Sequence, residues 1–211
     1  MRIPGDISSA AFLMVAALIC PDSELEIKHV NINPTRTGIL EVLTEMGAEI
    51  EVLEQGLEAG EPVAHIRIKT SALRACEIAG DRVVTMIDEF PIFMVAALCA
   101  EGETRVRDAK ELRVKETDRL AVMTTELRKM GAVIDEFEDG FRIVGPQSLH
   151  GTVLDSYDDH RIAMSLAVAA CMAEGTSYIK EALSAHDSFP GFAETVQALG
   201  ANMMYVDGLP V

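Results

Sequence analysis

Apolar and polar positions alternate along this chain in a pattern that returns three times. The stretches at 8–19 (SSAAFLMVAALI), 88–99 (DEFPIFMVAALC) and 158–171 (DDHRIAMSLAVAAC) are apolar on nearly every side. That pattern predicts helices buried all round. The longest such run, 10–20, is too short to cross a bilayer. A β-rich stretch follows each one, at 25–32, 104–109 and 176–182. Then comes an amphipathic segment, at 36–48, 116–132 and 188–201, each closing on a Gly-Ala pair that suits a left-handed helix end. Strands are predicted after these, at 49–54, 133–138 and 202–206, with further strands at 65–69 and 141–145.

The repeat spacing of roughly seventy to eighty residues exceeds that of short solenoids. It predicts α/β (α+β) units packed around a shared core of three buried, roughly parallel helices, with amphipathic second helices outside. The units are expected at about 6–70, 83–147 and 153–207. Parallel buried helices would present their N-termini, the positive dipole ends, on one face.

The unusual polar residues gather where these helices start. Asp6, Ser8 and Ser9 in the first, Asp88 in the second and Asp158 or Asp159 in the third are candidate caps. Thr35 or Thr37 can cap the helix after NPTRTG. Capping does not account for Arg161, a cation in a first turn that opposes the helix dipole. Lys115, Glu116 and Arg119 stand at one helix start with spacing that lets them share a face. A solvated, ion-paired helix end is the plain reading of that cluster, and an anionic ligand the functional one. The DDH run at 158–160 does not suit a metal, because adjacent helical residues point apart. His186 falls in a loop and receives no role.

With 211 residues, 49% of them hydrophobic, the chain is long enough for one substantial core. Eighteen basic against 34 acidic residues give a net charge of −16, which argues against nucleic acid or an anionic membrane as partner. No secretory signal pattern opens the sequence. Cys20, Cys76, Cys99 and Cys171 form no C-x-x-C pair and are expected as buried structural thiols in a reducing cytoplasm. From the residues alone, the pattern suits a lobe that binds a phosphorylated or carboxylated metabolite, with acid/base chemistry available, and does not name the reaction.

The motifs PGDISSAAF, NPTRTG, MIDEFPI, LRVKETDRL, DDHRIAM and SFPGF occur in this order over about 3–205. Together they resemble the C-terminal portion of 5-enolpyruvylshikimate-3-phosphate (EPSP) synthases, and NPTRTG and MIDEFPI resemble the class II, glyphosate-tolerant branch. The resemblance implies one half of a two-lobed enolpyruvyl transferase fold, a single lobe of three βαβαββ-type repeats, with the N-terminal lobe absent. A short leading segment that completes this lobe is also absent, so one sheet edge should stand open.

It further implies transfer of the enolpyruvyl group of phosphoenolpyruvate to the 5-hydroxyl of shikimate 3-phosphate, with neither metal nor organic cofactor, in the cytoplasm. By motif position, Asp88 and Glu116 would be catalytic. Asp88 and Lys115 would bind shikimate 3-phosphate, and Arg119 and Arg161 would hold phosphoenolpyruvate. The partners implied are those two substrates and the missing lobe, with no nucleic acid and no membrane. Two positions depart from the pattern: Glu111 stands where some members have Asn, and Asp187 where some have Lys. An enolpyruvyl transferase acting on a UDP-sugar, or a non-catalytic lobe of the same fold, are the competing expectations.

Overall fold

The computed structural model describes residues 3–58 and 60–208. The chain opens with helix α1 (Ile7–Ile19), strand β1 (Glu24–Asn31), helix α2 (Gly38–Glu45) and the hairpin β2 (Glu49–Glu58) and β3 (Glu61–Lys69). It continues through β4 (Glu77–Ile78), α3 (Asp81–Thr85), a 3-10 turn at Ile87–Glu89 and α4 (Phe90–Cys99). Strand β5 (Gly102–Val106), a 3-10 turn at Lys110–Val114, α5 (Arg119–Lys129) and the hairpin β6 (Ile134–Phe137) and β7 (Gly140–Gly145) follow. The last third holds β8 (Leu149–His150), β9 (Val153–Asp155), α6 (His160–Ala170), β10 (Ala173–Glu174), β11 (Tyr178–Lys180), a 3-10 turn at Ala182–Asp187 and α7 (Phe192–Ala198).

The first two sheets share one plan. In the first, Gly5 makes a parallel bridge to Val30 of β1, and the sheet order is then β1-β3-β2, all antiparallel. In the second, β4 lies parallel to β5, followed by β7 and β6, both antiparallel. In the last third β9 pairs parallel with β11, but among the described residues no hairpin adds to β11. The strand expected at 202–206 is therefore corrected: that segment forms no strand. A strand forms only against a neighbour, and the strand that would stand between β11 and this segment has no counterpart in the described chain.

Helices α1, α4 and α6 pack on one another, as their all-round apolar pattern predicts. Every residue from Phe90 to Leu98 is buried. Each large apolar side chain so buried contributes about 1.5–3 kcal/mol. Phe90 packs edge-on against Phe93 and Phe141, with ring centroids 6.1 and 6.5 Å apart. The second helices are one-sided: Ile39, Val42 and Leu43 of α2, Leu120, Met123 and Leu127 of α5, and Phe192, Ala193 and Val196 of α7 face inward. Gly47, Gly131 and Gly200 end them with φ of +92°, +96° and +107°, the left-handed turn a side chain would oppose.

The cysteines depart from expectation. All four are unpaired thiols, but Cys20, Cys76 and Cys99 are only half-buried and Cys171 is exposed. Each closes a helix or leads a strand at a boundary, where the backbone turns out of the core. Among the described residues no helix is long and apolar enough to cross a membrane.

Candidate active site

Arg119 is the hub of the helix-start face. Asp118 caps α5 by accepting the Ala121 N–H at 3.0 Å, so Arg119 is the first helical residue. Asp118 is itself fixed by Arg113, whose Nη1 donates to it at 2.9 Å while Nη2 donates to Glu136 at 2.9 Å and Nε to the Glu138 carbonyl at 2.7 Å. Arg113 thus ties the segment before α5 to the β6–β7 hairpin.

The Arg119 guanidinium is 1% exposed. A buried charge persists only when paired and hydrogen-bonded. Its Nε donates to Asp159 Oδ2 at 3.0 Å, Nη2 to Glu116 Oε2 at 2.5 Å, and Nη1 to Asp88 Oδ1 at 3.4 Å. Asp159 is fully buried and has two further tasks. It caps α6 by accepting the Arg161 and Ile162 N–H groups at 2.9 and 3.4 Å, and it accepts the Thr117 hydroxyl at 3.0 Å. Burial pushes its carboxyl up, but Arg119, the helix N–H and Thr117 together outweigh that and hold it below the usual aspartate range. Of the two cap candidates, Asp159 is the cap. Tyr157 and Asp158 instead make the turn, with φ of +52° and +61°.

That turn is braced from both sides. The buried Ser156 hydroxyl donates to the Lys180 carbonyl at 3.0 Å. The buried Glu126 of α5 accepts the Asp155 N–H at 2.9 Å.

Asp88 does not cap α4 as expected. Glu89 stands at the cap position and makes no capping bond, while Asp88 lies in the preceding 3-10 turn. There it receives both arginines: Arg161 Nη2 lies 3.5 Å from Asp88 Oδ2, and Arg161 Nη1 donates to the Asp88 carbonyl at 3.2 Å. These acids offset the cation that opposes the α6 dipole. Thr37 is the N-cap of α2 but its side chain makes no capping bond either. The Arg36 guanidinium reaches back to Ser8 at 2.8 Å and Asp6 at 3.3 Å, and Asp6 caps α1 through Ser9 at 3.2 Å. The starts of α1, α4, α5 and α6 therefore share one face.

The model of EPSP synthase (3-phosphoshikimate 1-carboxyvinyltransferase) matches residues 1–196. The chain belongs to the EPSP synthase family. It is 58% identical over 197 residues to the 3-phosphoshikimate 1-carboxyvinyltransferase of Gloeothece citriformis, covering 93% of this chain and 44% of that protein. Against the enzyme of Synechococcus elongatus it is 55% identical, covering 93% and 44%. It superposes on EPSP synthase from Acinetobacter baumannii with a TM-score of 0.92 at 41% identity, over 95% of this chain and 47% of that one. The enolpyruvyl transferase NikO from Streptomyces tendae shares the fold, with a TM-score of 0.76 at 20% identity. The chain spans about half the length of the EPSP synthases it matches.

Within this member of the EPSP synthase family the motif residues do not all converge. Asp88, Glu116, Arg119 and Arg161 form one cluster. Lys115 does not join Glu116 and Arg119: its backbone is extended, its Nζ pairs with Glu111 Oε1 at 2.6 Å, and like Glu116 it precedes α5, which begins at Arg119. The helix begins four residues later than Lys115, so helical spacing does not apply to it. Asp187 is exposed, and His186 stacks edge-on against Tyr205 at 5.1 Å. His160 sits beside the cluster with its imidazole pushed down by burial and then by the Arg161 charge, both favouring the neutral ring.

Sequence reasoning missed Asp159 as the arginine anchor, Glu111 as the lysine partner, and Glu89. Asp159 was visible only as a cap. Its bond to Arg119 joins residues 40 apart in sequence.

Proposed function

We propose that this chain supplies half of the active site of a 3-phosphoshikimate 1-carboxyvinyltransferase. The enzyme moves the enolpyruvyl group of phosphoenolpyruvate to the 5-hydroxyl of shikimate 3-phosphate and releases phosphate. The observation that carries this reading is the convergence of two guanidinium groups, Arg119 and Arg161, on Asp88, with Glu116 held against Arg119 at 2.5 Å. Two cations and two carboxylates on one face of helix starts are the parts that a doubly anionic substrate and a proton-transfer step need.

In the structure Asp88 and Glu116 pair with the arginines. An arriving phosphoenolpyruvate carboxylate takes their place on Arg119 and Arg161, whose planar forks match it. That exchange frees Glu116 to deliver a proton to the methylene carbon and Asp88 to accept the hydroxyl proton as the 5-oxygen attacks. The arginine charges, set in place beforehand, stabilise the tetrahedral intermediate, whose C–O bond to phosphate then breaks as Glu116 takes back a methyl proton and the double bond is restored. Lys115 leaves Glu111 for the bound shikimate 3-phosphate. The remaining groups come from a second lobe, and the three repeats near 6–70, 83–147 and 153–207 constitute this one. The site requires neither metal nor organic cofactor, and the enzyme acts in the cytoplasm.

The test is complementation. The chain alone should release no phosphate from the two substrates. Mixing it with the separately produced N-terminal remainder of a close relative should restore turnover, and Arg119→Leu in this chain should abolish it. A chain that binds its complement and yields no turnover is a non-catalytic lobe. Turnover on a UDP-sugar instead of shikimate 3-phosphate reassigns the substrate.

A further inference from the structure

Glu89 is the one buried carboxylate on the helix-start face that the reading above leaves without a task. It is 3% exposed, it begins α4, and its Oε1 has no hydrogen-bond partner. A buried, unsatisfied acceptor costs stability, so its presence calls for a reason.

The groups around Glu89 come from each element packed against it. Arg161 of α6 brings Nη1 to 4.0 Å from Oε1. Ser8 of α1, 1% exposed, sets its hydroxyl against the carboxyl and accepts the Arg36 Nη2 donor at 2.8 Å. Asp88, its chain neighbour, holds the other side of the same Arg161 fork. The first turn of α1, the start of α4 and the first turn of α6 therefore meet at this carboxyl.

We propose that Glu89 is a positioning residue for Arg161, and that its charge state sets how much of the Arg161 cation faces an anion. This rests on the reading of Arg161 as the group that holds the substrate carboxylate. With Glu89 neutral, Arg161 answers to Asp88 alone, and Asp88 is the partner an incoming anion displaces. With Glu89 ionised, a second negative charge lies at 4.0 Å in a buried place and competes for the same guanidinium. Burial pushes the Glu89 carboxyl up, and the Asp88 charge adds to that, while Ser8, Arg161 and Arg36 work against it. The net direction is upward, toward the neutral acid.

An anion bound at Arg161 disfavours the second charge further, so anion binding and Glu89 protonation assist each other. If binding raises the Glu89 midpoint by about one unit, affinity falls about tenfold as pH rises through that midpoint.

The experiment is an NMR titration of the whole chain carrying 13Cδ-labelled Glu and 15N-labelled Arg. Without ligand, the Glu89 carboxyl should titrate above the ordinary glutamate range, and the Arg161 Nε–H resonance should step at the same midpoint. In Glu89→Gln that step should vanish and Arg161 should stay in one environment. A step that survives in Glu89→Gln assigns it to another group, such as Glu116 or His160, and overturns the proposal. So does an Arg161 resonance that shows no step in the unaltered chain, which needs no variant to fold.

The same samples are then titrated with phosphoenolpyruvate below and above the midpoint. About tenfold weaker binding at high pH, absent in Glu89→Gln, supports the coupling, and equal pH dependence in both overturns it. Phosphoenolpyruvate that shifts residues elsewhere and leaves Arg161 unmoved contradicts the functional reading, while the ligand-free titration still decides the Glu89–Arg161 coupling.

Discussion

Arg119 donates its Nε–H to Asp159 at 3.0 Å with both side chains closed off from solvent, and this pair joins the start of α5 to the start of α6. Asp159 caps α6 with its other oxygen. One carboxylate thus sets the position of both Arg119 and the helix that carries Arg161. The pair is the frame of the site more than a part of its chemistry.

Arg119→Leu leaves Asp159 buried without its cation and should destabilise the chain by about 3–5 kcal/mol, read from the urea midpoint. Arg119→Lys keeps the charge but cannot reach Asp159, Glu116 and Asp88 at once, and should still cost about 2 kcal/mol. An Arg119→Leu chain as stable as the original would show that the pair is dispensable.

The two buried acids should give opposite slopes of stability against pH. Asp159 lies below the usual aspartate range in the folded chain, so its contribution is full above the unfolded value and is lost as pH falls through the folded one. Glu89 lies above the usual glutamate range, so its contribution is full below the unfolded value and is lost as pH rises through the folded one. Urea midpoints across pH should show Asp159→Asn flattening the acid limb and Glu89→Gln flattening the decline above it.

Gly38, the last residue of NPTRTG, is where α2 meets the end of α3. A Cβ there would lie 2.3 Å from Thr85 Oγ1 and 3.0 Å from the Thr85 carbonyl carbon. Gly38→Ala should therefore cost about 1–3 kcal/mol, and adding Thr85→Ala should recover only part, because the backbone contact remains. Thermal melting of the single and double variants checks this.

Hydrogen exchange should find the β9–β11 pair weaker than the β4-β5-β7-β6 sheet. Strand β11 has three residues and, among the described residues, pairs on one edge, with β9. Amides of Tyr178, Ile179 and Lys180 should exchange faster than those of Phe141 and Ile143 in β7, which lies between two strands. Supplying a strand that pairs with β11 should slow them.

Much of this fold was legible because its signals are local. All-round apolar helices, one-sided second helices and the Gly47 and Gly131 turns follow from residue type and spacing over a dozen positions. The 202–206 segment carries the same local signal as β2 and β6 but forms no strand, because those two pair with the hairpin strands β3 and β7 and this segment has no such partner among the described residues. The site shows the same division. Arg161 and Arg119 stood out as cations against a helix dipole, and the structure supplies the acids that offset them. Lys115 was misplaced onto the α5 face because the helix starts after it, behind the Asp118 cap. Glu89 gave no signal, since an acid in a first helical turn is ordinary until its burial is known.

Shift mapping of the labelled chain, with the N-terminal remainder of a relative supplied in trans, tests whether these residues hold the two substrates. Shikimate 3-phosphate is added first and phosphoenolpyruvate second. Shifts are expected at Asp88 and Lys115 with the first ligand, and at Glu116, Arg119 and Arg161 with the second. Ligand-dependent shifts elsewhere in the chain, with those residues unmoved, would contradict that assignment.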